Sequence, residues 1–532
     1  MSARLLGQTG RVLITSGLAG QTRPRHLVPL VRALRQTGPS LAALVATAAV
    51  HRPNDPAVID ERGTLTYREL DEAAARIAAG LLARTGTVPS IAVLCRNHRG
   101  FVITTAAAGR LGADVALLNT EFAAPQLADV LDRVRPDVIV ADEEFLPHLD
   151  ESGAPVIVAW HDSDTDRPTL DDLIADHRPH VPTRRPEPGK ITILTSGTTG
   201  KPKGVPRTPG AMAVLPPVVT LLRRSKLRAG DPLQIGIPLF HGFGLAMWGL
   251  AALLRSPVVL RRRFTPETAL ADAVTHHVAA MAVVPVMLQR LLAVPDTVRR
   301  GHDLRRLHMV LSGGAPLRPE LATRFADTFG DVLFNGYGAS EVGIVAVATP
   351  ADLRAAPGTV GRGCEAIPIR VLDQHDRPVP VGQQGTIHVG GPSVFDGYTG
   401  GGTKNTVDGL MNTGDVGHLD TAGRLFIDGR ADDMIVSGGE NVYPGEVEDV
   451  LASHPAVADV AVIGAEDAEF GQRLVAYVVP AADRPDPDEL AGHVKRNLAR
   501  YKVPREFVFL DQLPRNASGK LLRRHLGTGE RP

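Results

Sequence analysis

The sequence predicts an α/β protein in which a large N-terminal domain precedes a small α+β domain. Short apolar, β-branched segments alternate with helical segments along much of the chain, which is typical of parallel sheets covered by helices. A glycine-rich loop, Thr195–Gly204, directly follows one of these apolar segments. From about residue 430 the chain starts a separate unit of roughly 100 residues. The 532 residues are too many for one core, so at least two domains are expected.

The elements of the first half follow from apolar periodicity. Segments with apolar residues at helical spacing predict helices over residues 68–82, 101–111 and 125–134. Short apolar runs between them predict strands over residues 64–67, 91–95, 113–118 and 138–140. Gly112 and Pro136 end the second and third helices. This order of elements predicts parallel α/β layers.

The second half repeats this pattern and then becomes richer in strands. Apolar runs predict strands over residues 234–239, 258–260, 279–284 and 309–311, with helices over 266–276 and 286–293. From about residue 366 strands dominate, at 367–372, 385–389 and 423–429. The terminal unit is predicted to contain helices over 444–451 and 487–498 and strands over 457–464 and 474–479.

Composition narrows the classes of function. The 58 basic and 58 acidic side chains cancel, so a nucleic-acid partner bound through overall charge is not expected. Cys95 and Cys364 are too few for a disulfide framework or a zinc cluster, which fits a reducing cytoplasm. No segment reaches the roughly 18 uninterrupted apolar residues of a membrane-spanning helix.

The start of the chain has a separate character. Residues 1–54 contain seven arginines and no Asp or Glu. Residues 27–35 could form a basic amphipathic helix on an anionic membrane, or an arginine-rich helix packed on the rest of the protein. The sequence favours the packed helix and leaves peripheral membrane contact open.

The glycine-rich loop has the composition of a phosphate-binding loop. It contains three glycines, four hydroxyl side chains and two lysines, which supply close backbone approach, hydrogen-bond donors and positive charge. It differs from the P-loop of nucleotide hydrolases, because two residues separate its first glycines and Pro202 follows Lys201.

Six motifs in order resemble the adenylate-forming superfamily, which includes acyl-CoA synthetases, peptide-synthetase adenylation domains and beetle luciferases. The resemblance covers residues 41–526, and its motifs are Thr195–Gly204, Pro238–Gly244, Asn335–Glu341, Thr413–Asp415, Gly429–Asp433 and Pro514–Lys520. It implies a large N-terminal domain of layered α/β subdomains with a β-barrel-like part, followed by a small mobile α+β domain. The implied divisions are a basic extension (1–40), an AMP-binding domain (41–429), a hinge (430–433) and a C-terminal domain (434–532).

The resemblance also implies the chemistry. A carboxylate attacks the α-phosphorus of ATP to give acyl-AMP and pyrophosphate, and a thiol then displaces AMP. Glu341, with Thr195, would bind Mg²⁺, and Ser340 stands where the family has Thr. Asp415 and Arg430 would bind the ribose or phosphate. The implied ATP-binding residues that contact phosphates or adenine are Thr195, Ser196, Gly197, Thr198, Thr199, Gly200, Lys201, Gly313, Gly314, Ala315, Asn335, Gly336, Tyr337 and Gly338.

Lys520 is the implied catalytic lysine, because a lysine in a mobile domain can bridge the carboxylate and the α-phosphate. Asp432 would be the hinge, and rotation about it would bring a second face to coenzyme A; the residues of that face are Ser437, Gly438 and Gly439. His241 would lie near the substrate carboxylate or pack in the core. The implied walls of the acyl pocket are His241, Phe243, Met247, Trp248 and Val284.

The substrate is narrowed by what the acyl segment lacks. Adenylation domains for amino acids carry an Asp near the position of His241, and this chain has none there, so an amino acid is disfavoured. Residues 117–122 and 125–127 resemble actinobacterial fatty-acyl-CoA ligases, which implies a fatty acid, ATP and coenzyme A as substrates. Three alternatives stay open: an acyl-AMP ligase that loads a carrier protein, a ligase for an aromatic acid, and a degenerate nucleotide-binding regulator. A homodimer also stays open.

Overall fold

The protein is described from a computed structural model. The described residues are 3–150, 152–182, 185–195, 203–207, 211–299, 301–395, 397–399, 401–437, 440–467, 471–516 and 519–526. Among them, no helix has both the length and the apolar character needed to cross a membrane.

The helices alternate with strands through most of the chain. In chain order the helices are α1 Ala3–Thr15, α2 Leu27–Thr37, α3 Leu41–His51, α4 Tyr67–Thr85, α5 Arg99–Leu111, α6 Ala124–Val134, α7 Leu170–Asp176, α8 Ala211–Ser225, α9 Gly242–Leu254, α10 Pro266–Thr275, α11 Pro285–Ala293, α12 Asp296–Arg299, α13 Pro319–Phe329, α14 Pro350–Ala355, α15 Pro444–Ala452 and α16 Pro487–Asn497. In chain order the strands are β1 Pro56–Asp60, β2 Gly63–Thr66, β3 Ile91–Leu94, β4 Val115–Leu117, β5 Val138–Asp142, β6 Val156–Trp160, β7 Ile191–Thr195, β8 Lys203–Arg207, β9 Leu233–Ile235, β10 Val258–Leu260, β11 Ala280–Val283, β12 Met309–Ser312, β13 Leu333–Ala339, β14 Gly343–Ala348, β15 Thr359–Gly363, β16 Ile369–Leu372, β17 Gly385–Val389, β18 Thr406–Val407, β19 Leu410–Leu419, β20 Leu425–Arg430, β21 Ile435–Ser437, β22 Glu440–Val442, β23 Val457–Asp467, β24 Gly471–Pro480 and β25 Glu506–Phe509.

The first sheet of the large domain has the strand order β6-β5-β3-β4-β7-β8. Its first five strands are parallel, and β8 pairs antiparallel with β7. Every residue of β3, β4 and β5 is buried, as expected for strands covered on both faces. The β7–β8 hairpin therefore presents the glycine-rich loop from the edge of this sheet.

The second sheet joins the α/β part to the strand-rich part. Its order is β16-β17-β19-β20-β15-β14-β13-β12-β11-β9-β10-β1-β2, with β18 on β19. Strands β1 and β9 to β13 pair in parallel, whereas β13 through β20 pair antiparallel. The strand-rich region predicted from residue 366 thus extends the parallel part of this sheet by adding antiparallel strands at its edge.

The small domain has its own sheet and core. Strands β22, β21, β24 and β23 are antiparallel neighbours, and β25 adds to β24 in parallel. Apolar residues of α15 and α16 pack on this sheet, including Val447, Leu451 and Leu490, each fully buried. This confirms the predicted fold class of a large α/β domain followed by a small α+β domain.

Several elements differ from the predictions. The helices that were not predicted are α1, α3, α7, α8, α9, α12, α13 and α14. Helix α9 begins with Gly242-Phe243-Gly244, a sequence more typical of a loop. The strand predicted over 234–239 ends at Ile235, since Gly236 and Pro238 follow. The basic helix predicted over 27–35 runs from Leu27 to Thr37 and packs against α3 and α5.

Candidate active site

The β7–β8 hairpin positions the glycine-rich loop. Its strands pair from Ile191 opposite Arg207 to Thr195 opposite Lys203, and seven residues of the sequence lie between them. The predicted phosphate ligands Ser196, Gly197, Thr198, Thr199, Gly200 and Lys201, and the side chain of Thr195, lie outside the described residues. The hairpin fixes where that loop begins and ends.

Hydrogen bonds tie the end of this hairpin to Ser340, which precedes Glu341, and to Ser393 and Thr399. The guanidinium of Arg207 donates to the backbone oxygen of Ser340, through Nε at 2.9 Å, and to that of Ser393 at 2.8 Å. Burial lowers the pKa of Arg207, against the opposing attraction of Glu341. The Thr399 N–H donates to the Gly204 oxygen at 2.9 Å. The β7–β8 hairpin and the segment that carries Glu341, the predicted magnesium ligand, are therefore held together.

The Glu341 carboxylate is oriented by a tyrosine that the sequence analysis did not identify. The Tyr398 hydroxyl donates to Glu341 Oε1 at 2.8 Å, and the Phe395 N–H donates to the Glu341 backbone oxygen at 2.8 Å. Burial and the neighbouring carboxylate raise the pKa of Tyr398, so the phenol stays a donor. Glu341 is thereby presented as an oxygen ligand of the kind Mg²⁺ prefers.

Gly313, which follows β12, lies against β13 and α9, and together with Gly314 and Gly336 it is called the glycine slot. A Cβ at Gly313 would lie 3.1 Å from the Phe243 ring and 3.2 Å from the Gly336 backbone oxygen. Gly314 has φ +79°, which favours glycine, and its Cβ position faces Val284 at 3.7 Å. Gly313 therefore lies beside Gly336 and Phe243, and Gly314 beside Val284, so the structure brings these predicted site residues together.

Neighbouring residues of the predicted adenine motif hold the backbone of this slot. The buried Asn335 side chain donates to the Thr359 backbone oxygen at 3.2 Å, so its amide links β13 to β15. A Cβ at Gly338 would lie 2.2 Å from the Gly343 oxygen, which requires glycine at this bulged pair of β13 and β14. Ala315, the next predicted site residue, follows Gly314 directly.

The hydroxyl of Tyr337 and the carboxylate of Asp415 form a polar pair next to Gly336 of the glycine slot. The Tyr337 hydroxyl donates to Asp415 Oδ2 at 2.5 Å, and Arg430 donates to Asp415 Oδ1 at 3.1 Å. Burial raises the pKa of Asp415, while Tyr337 and Arg430 oppose that shift. Burial also raises the pKa of Tyr337. A carboxylate held by two donors suits a pair of ribose hydroxyls, which sequence reasoning assigned to Asp415.

His241 lies at the start of α9 with its ring buried. Its Nε2 has no hydrogen-bond partner among the described residues, and its ring packs on Phe240 with 4.5 Å between centroids. Burial lowers the pKa of His241 to about 4, so the imidazole is neutral near pH 7. The imidazole is therefore a neutral polar group.

The predicted acyl-pocket walls divide into two groups. Met247 and Trp248 are each 2% exposed and belong to the main core. Val284 is also 2% exposed and in the same core, where it faces Gly314, whereas Phe243 is only partly buried and lies against Gly313. Phe243 and Val284 thus lie beside glycines that were predicted to bind ATP.

The motif Pro514–Lys520, called the lysine loop, belongs to the small domain and docks on the large domain. Gly519 has φ +74°, and its Cβ position lies 2.7 Å from Val286 Cγ1 and 3.3 Å from Val284 Cγ2. Lys520 is exposed, and its N–H donates to Asn516 Oδ1 at 2.8 Å. Arg515 holds the loop by donating to the Gly519 oxygen at 3.0 Å and to Asp459 at 2.7 Å. Because Val284 also faces Gly314, Gly519 and Gly314 contact the same valine, and Lys520 directly follows Gly519.

The predicted hinge and coenzyme A face are described only in part. Residues 431–433 form a short 3₁₀ turn, and Asp432 lies in it; its side chain is outside the described set. The backbone of Ser437 pairs with Glu440 and Gly471, so it starts a hairpin of the small sheet. Gly438 and Gly439 lie outside the described residues.

Sequence reasoning missed Arg207 and Tyr398. Arg207 stands three residues after Gly204. An arginine at the end of a strand that follows the glycine-rich loop could have been recognised from the sequence. Tyr398 is 57 residues from its partner Glu341 in a turn-rich segment, where nothing in the sequence marks a ligand-orienting residue.

Comparison with known proteins agrees with this geometry. The model of the AMP-binding enzyme family matches residues 45–399, and that of the AMP-binding enzyme C-terminal domain matches residues 446–520. An indoleacetate–CoA ligase of Aromatoleum aromaticum is 33% identical, over 88% of this chain and 94% of that protein. The fatty acid–[acyl-carrier-protein] ligase ScoC of Streptomyces coeruleorubidus is 32% identical, over 92% and 96%.

A solved structure shares the whole fold. The o-succinylbenzoate CoA synthetase of Bacillus subtilis, in complex with its acyl-adenylate intermediate, is 30% identical with a TM-score of 0.80, over 92% of this chain and 98% of that one. The predicted superfamily is therefore confirmed, while the named relatives act on acids of more than one class. The chain belongs to the AMP-binding enzyme family.

Proposed function

We propose that this protein uses ATP to convert an apolar carboxylic acid to acyl-AMP and then to an acyl-CoA thioester. The observation that carries the proposal is the docking of the lysine loop: Gly519 of the small domain lies against Val284 and Val286 of the large domain, and Val284 also faces Gly314. A lysine brought to a nucleotide slot by a separate domain suits a reaction with two half-steps.

The residues of the large domain fit ATP and Mg²⁺. The slot at Gly313 and Gly336 would take adenine, and Asp415 would accept from the ribose hydroxyls. Glu341, held by Tyr398, would be the carboxylate ligand of Mg²⁺. When bound, the ion neutralises phosphate charge. Ser340 would contact the α-phosphate, and the loop from Thr195 to Lys201 the pyrophosphate end.

The first half-step is a displacement at phosphorus. A substrate carboxylate oxygen bonds to the α-phosphorus, the bond from that phosphorus to the bridging oxygen breaks, and pyrophosphate leaves. Lys520 would stabilise the negative charge that develops on the α-phosphate. In the second half-step the sulfur of coenzyme A bonds to the acyl carbon, AMP leaves with the bridging oxygen, and the thiol proton passes to solvent.

The acid is proposed to be a fatty acid. Phe243, Val284 and a neutral His241 supply apolar or uncharged surroundings without a carboxylate that would bind an ammonium group. The resemblance of residues 117–122 to fatty-acyl-CoA ligases adds to this. An aromatic acid is the second candidate, since one relative is an indoleacetate–CoA ligase. A carrier-protein acceptor is supported by the relative ScoC alone.

The test separates the two half-reactions. Lys520→Ala is expected to abolish pyrophosphate release with acid and ATP, while supplied acyl-AMP and coenzyme A still give thioester. Lys495→Ala, which changes an exposed lysine on α16, is the matched control. Undiminished pyrophosphate release by Lys520→Ala would refute the assignment. A screen of acids from acetate to palmitate and of arylacetates, with and without coenzyme A, identifies the substrate and acceptor.

A further inference from the structure

Helix α2 carries an exposed apolar stripe. Leu27, Val28, Val31 and Leu34 have exposed fractions of 55%, 79%, 51% and 47%. At about 100° of rotation per residue, these four side chains fall within one arc of roughly 120° on the helix surface. Single exposed apolar residues are ordinary, but four on adjoining turns form a surface that favours a partner.

The opposite face of α2 is already occupied. His26, Ala33 and Thr37 are buried, and the helix packs on α3 and α5. The Thr37 hydroxyl donates to the Ala33 backbone oxygen at 2.8 Å. The helix is therefore held on the large domain, so its apolar stripe is presented outward from a rigid base. The helix is packed, as the sequence favoured, and its outer face is apolar.

The charge around the stripe has one sign. Arg32 and Arg35 are exposed on α2, and no Asp or Glu occurs in residues 1–54. Arg11 on α1, and Arg23 and Arg25 just before α2, are also exposed. Within the described side chains, no carboxylate lies within ion-pair distance of Arg32 or Arg35. The apolar stripe contains Arg35 within its arc and has Arg32 at its border, on a segment without acidic residues, so it complements a surface that is apolar inside and negative outside.

We propose that α2 docks this protein on a bilayer surface that contains anionic phospholipids, with Val28 and Val31 entering the headgroup boundary. A second copy of the chain fits less well, because self-association through this face would bring two sets of arginines together without acidic partners. The inference does not depend on the proposed ligase reaction, because it concerns binding alone.

The test is vesicle flotation of the full chain. The probes are vesicles of phosphatidylcholine alone and of phosphatidylcholine with about one third phosphatidylglycerol. The wild-type protein is expected to float with the anionic vesicles and to be released by high salt. The combined Val28→Asn, Val31→Asn and Leu34→Asn variant is expected to bind roughly tenfold more weakly or worse. Arg32→Gln with Arg35→Gln is expected to weaken binding and to reduce its salt dependence.

A matched control uses three exposed valines elsewhere. Val88, Val181 and Val381 are 50%, 62% and 62% exposed, so changing all three to Asn removes similar apolar area. Unchanged melting temperatures show that each variant is folded. The inference is overturned if the wild-type protein stays unbound, or if the α2 variant floats like the control. It is also overturned if the wild-type protein is a dimer that the α2 variant alone dissociates, because the stripe then binds a second copy.

Discussion

Replacing Gly519 by Ala tests whether adenylation depends on docking of the lysine loop. The added Cβ would lie 2.7 Å from Val286 Cγ1, well inside the 3.4 Å at which ordinary van der Waals contact begins. Valine in the first turn of α11 has no flexible end that could swing away. The expected result is a loop that no longer reaches its docked position.

The free-energy cost of Gly519→Ala has two parts. Alanine at φ +74° costs about 1–2 kcal/mol relative to an unstrained conformation. Overpacking against Val286 costs roughly 1–3 kcal/mol more. The second part opposes docking specifically, and it corresponds to about a 5- to 150-fold loss of the docked population and of the pyrophosphate-release rate.

The assay is pyrophosphate release at saturating acid and ATP, beside thioester formation from supplied acyl-AMP. Gly423→Ala is the matched control, since Gly423 has φ +71° and its Cβ would meet nothing within 4 Å. Thioester formation is expected to be nearly unchanged in Gly519→Ala. Combining Gly519→Ala with Val286→Ala removes the Cγ1 that clashes, so pyrophosphate release is expected to recover.

Three results would refute this reasoning. The first is a Gly519→Ala enzyme that releases pyrophosphate as fast as Gly423→Ala. The second is an equal loss in both half-reactions, which would indicate a folding defect. The third is a double variant that shows no recovery relative to Gly519→Ala.

Hydrogen bonds and burial at the site and between the domains lead to three further predictions. Tyr398→Phe removes the donor to Glu341, so we expect the Mg²⁺ concentration for half-maximal adenylation to rise about 5- to 10-fold; an unchanged Mg²⁺ curve would count against the orienting role. Tyr337→Phe removes a donor to Asp415, and the KM for ATP is expected to rise by a similar factor in steady-state assays, with CTP used as the control nucleotide. Burial raises the pKa of Asp449 to about 7, with Glu320 adding to the shift and Arg318 opposing it. Opening of the domains would return that pKa toward 3.8, so the closed form binds the extra proton, and closure is disfavoured as pH rises from about 4 to 7. Interdomain energy transfer between attached dyes should fall over that range in the wild-type protein and stay flat in Asp449→Asn.

Much of the parallel α/β scaffold was predictable because its signals are local. Strand β10 was predicted with its observed bounds, Val258–Leu260, and β17 with Gly385–Val389. In both, a short β-branched run is bounded by residues that interrupt a strand. Helix α9 was missed because its glycines favour a loop when isolated, whereas burial of Met247 and Trp248 stabilises the helix in the fold.

The candidate site was predictable only as a set of separate motifs. Glycines near Gly313, the carboxylates Glu341 and Asp415, and Lys520 could each be assigned a role by resemblance. The side chains that hold these residues could not be predicted, since the Tyr398–Glu341 and Tyr337–Asp415 hydrogen bonds span 57 and 78 residues. Pairings at such separations are set by packing of whole sheets, which leaves no periodic trace in the sequence.

The sequence by itself determined the class of fold, the order of the motifs and the basic character of residues 1–54, because these depend on local composition and spacing. Only the tertiary structure decided that Gly519 meets Val284 and Val286, since that contact joins two separately folded domains. It also decided that α2 buries Ala33 and exposes Val28. An amphipathic helix has two faces, and only the neighbouring elements determine which face remains exposed.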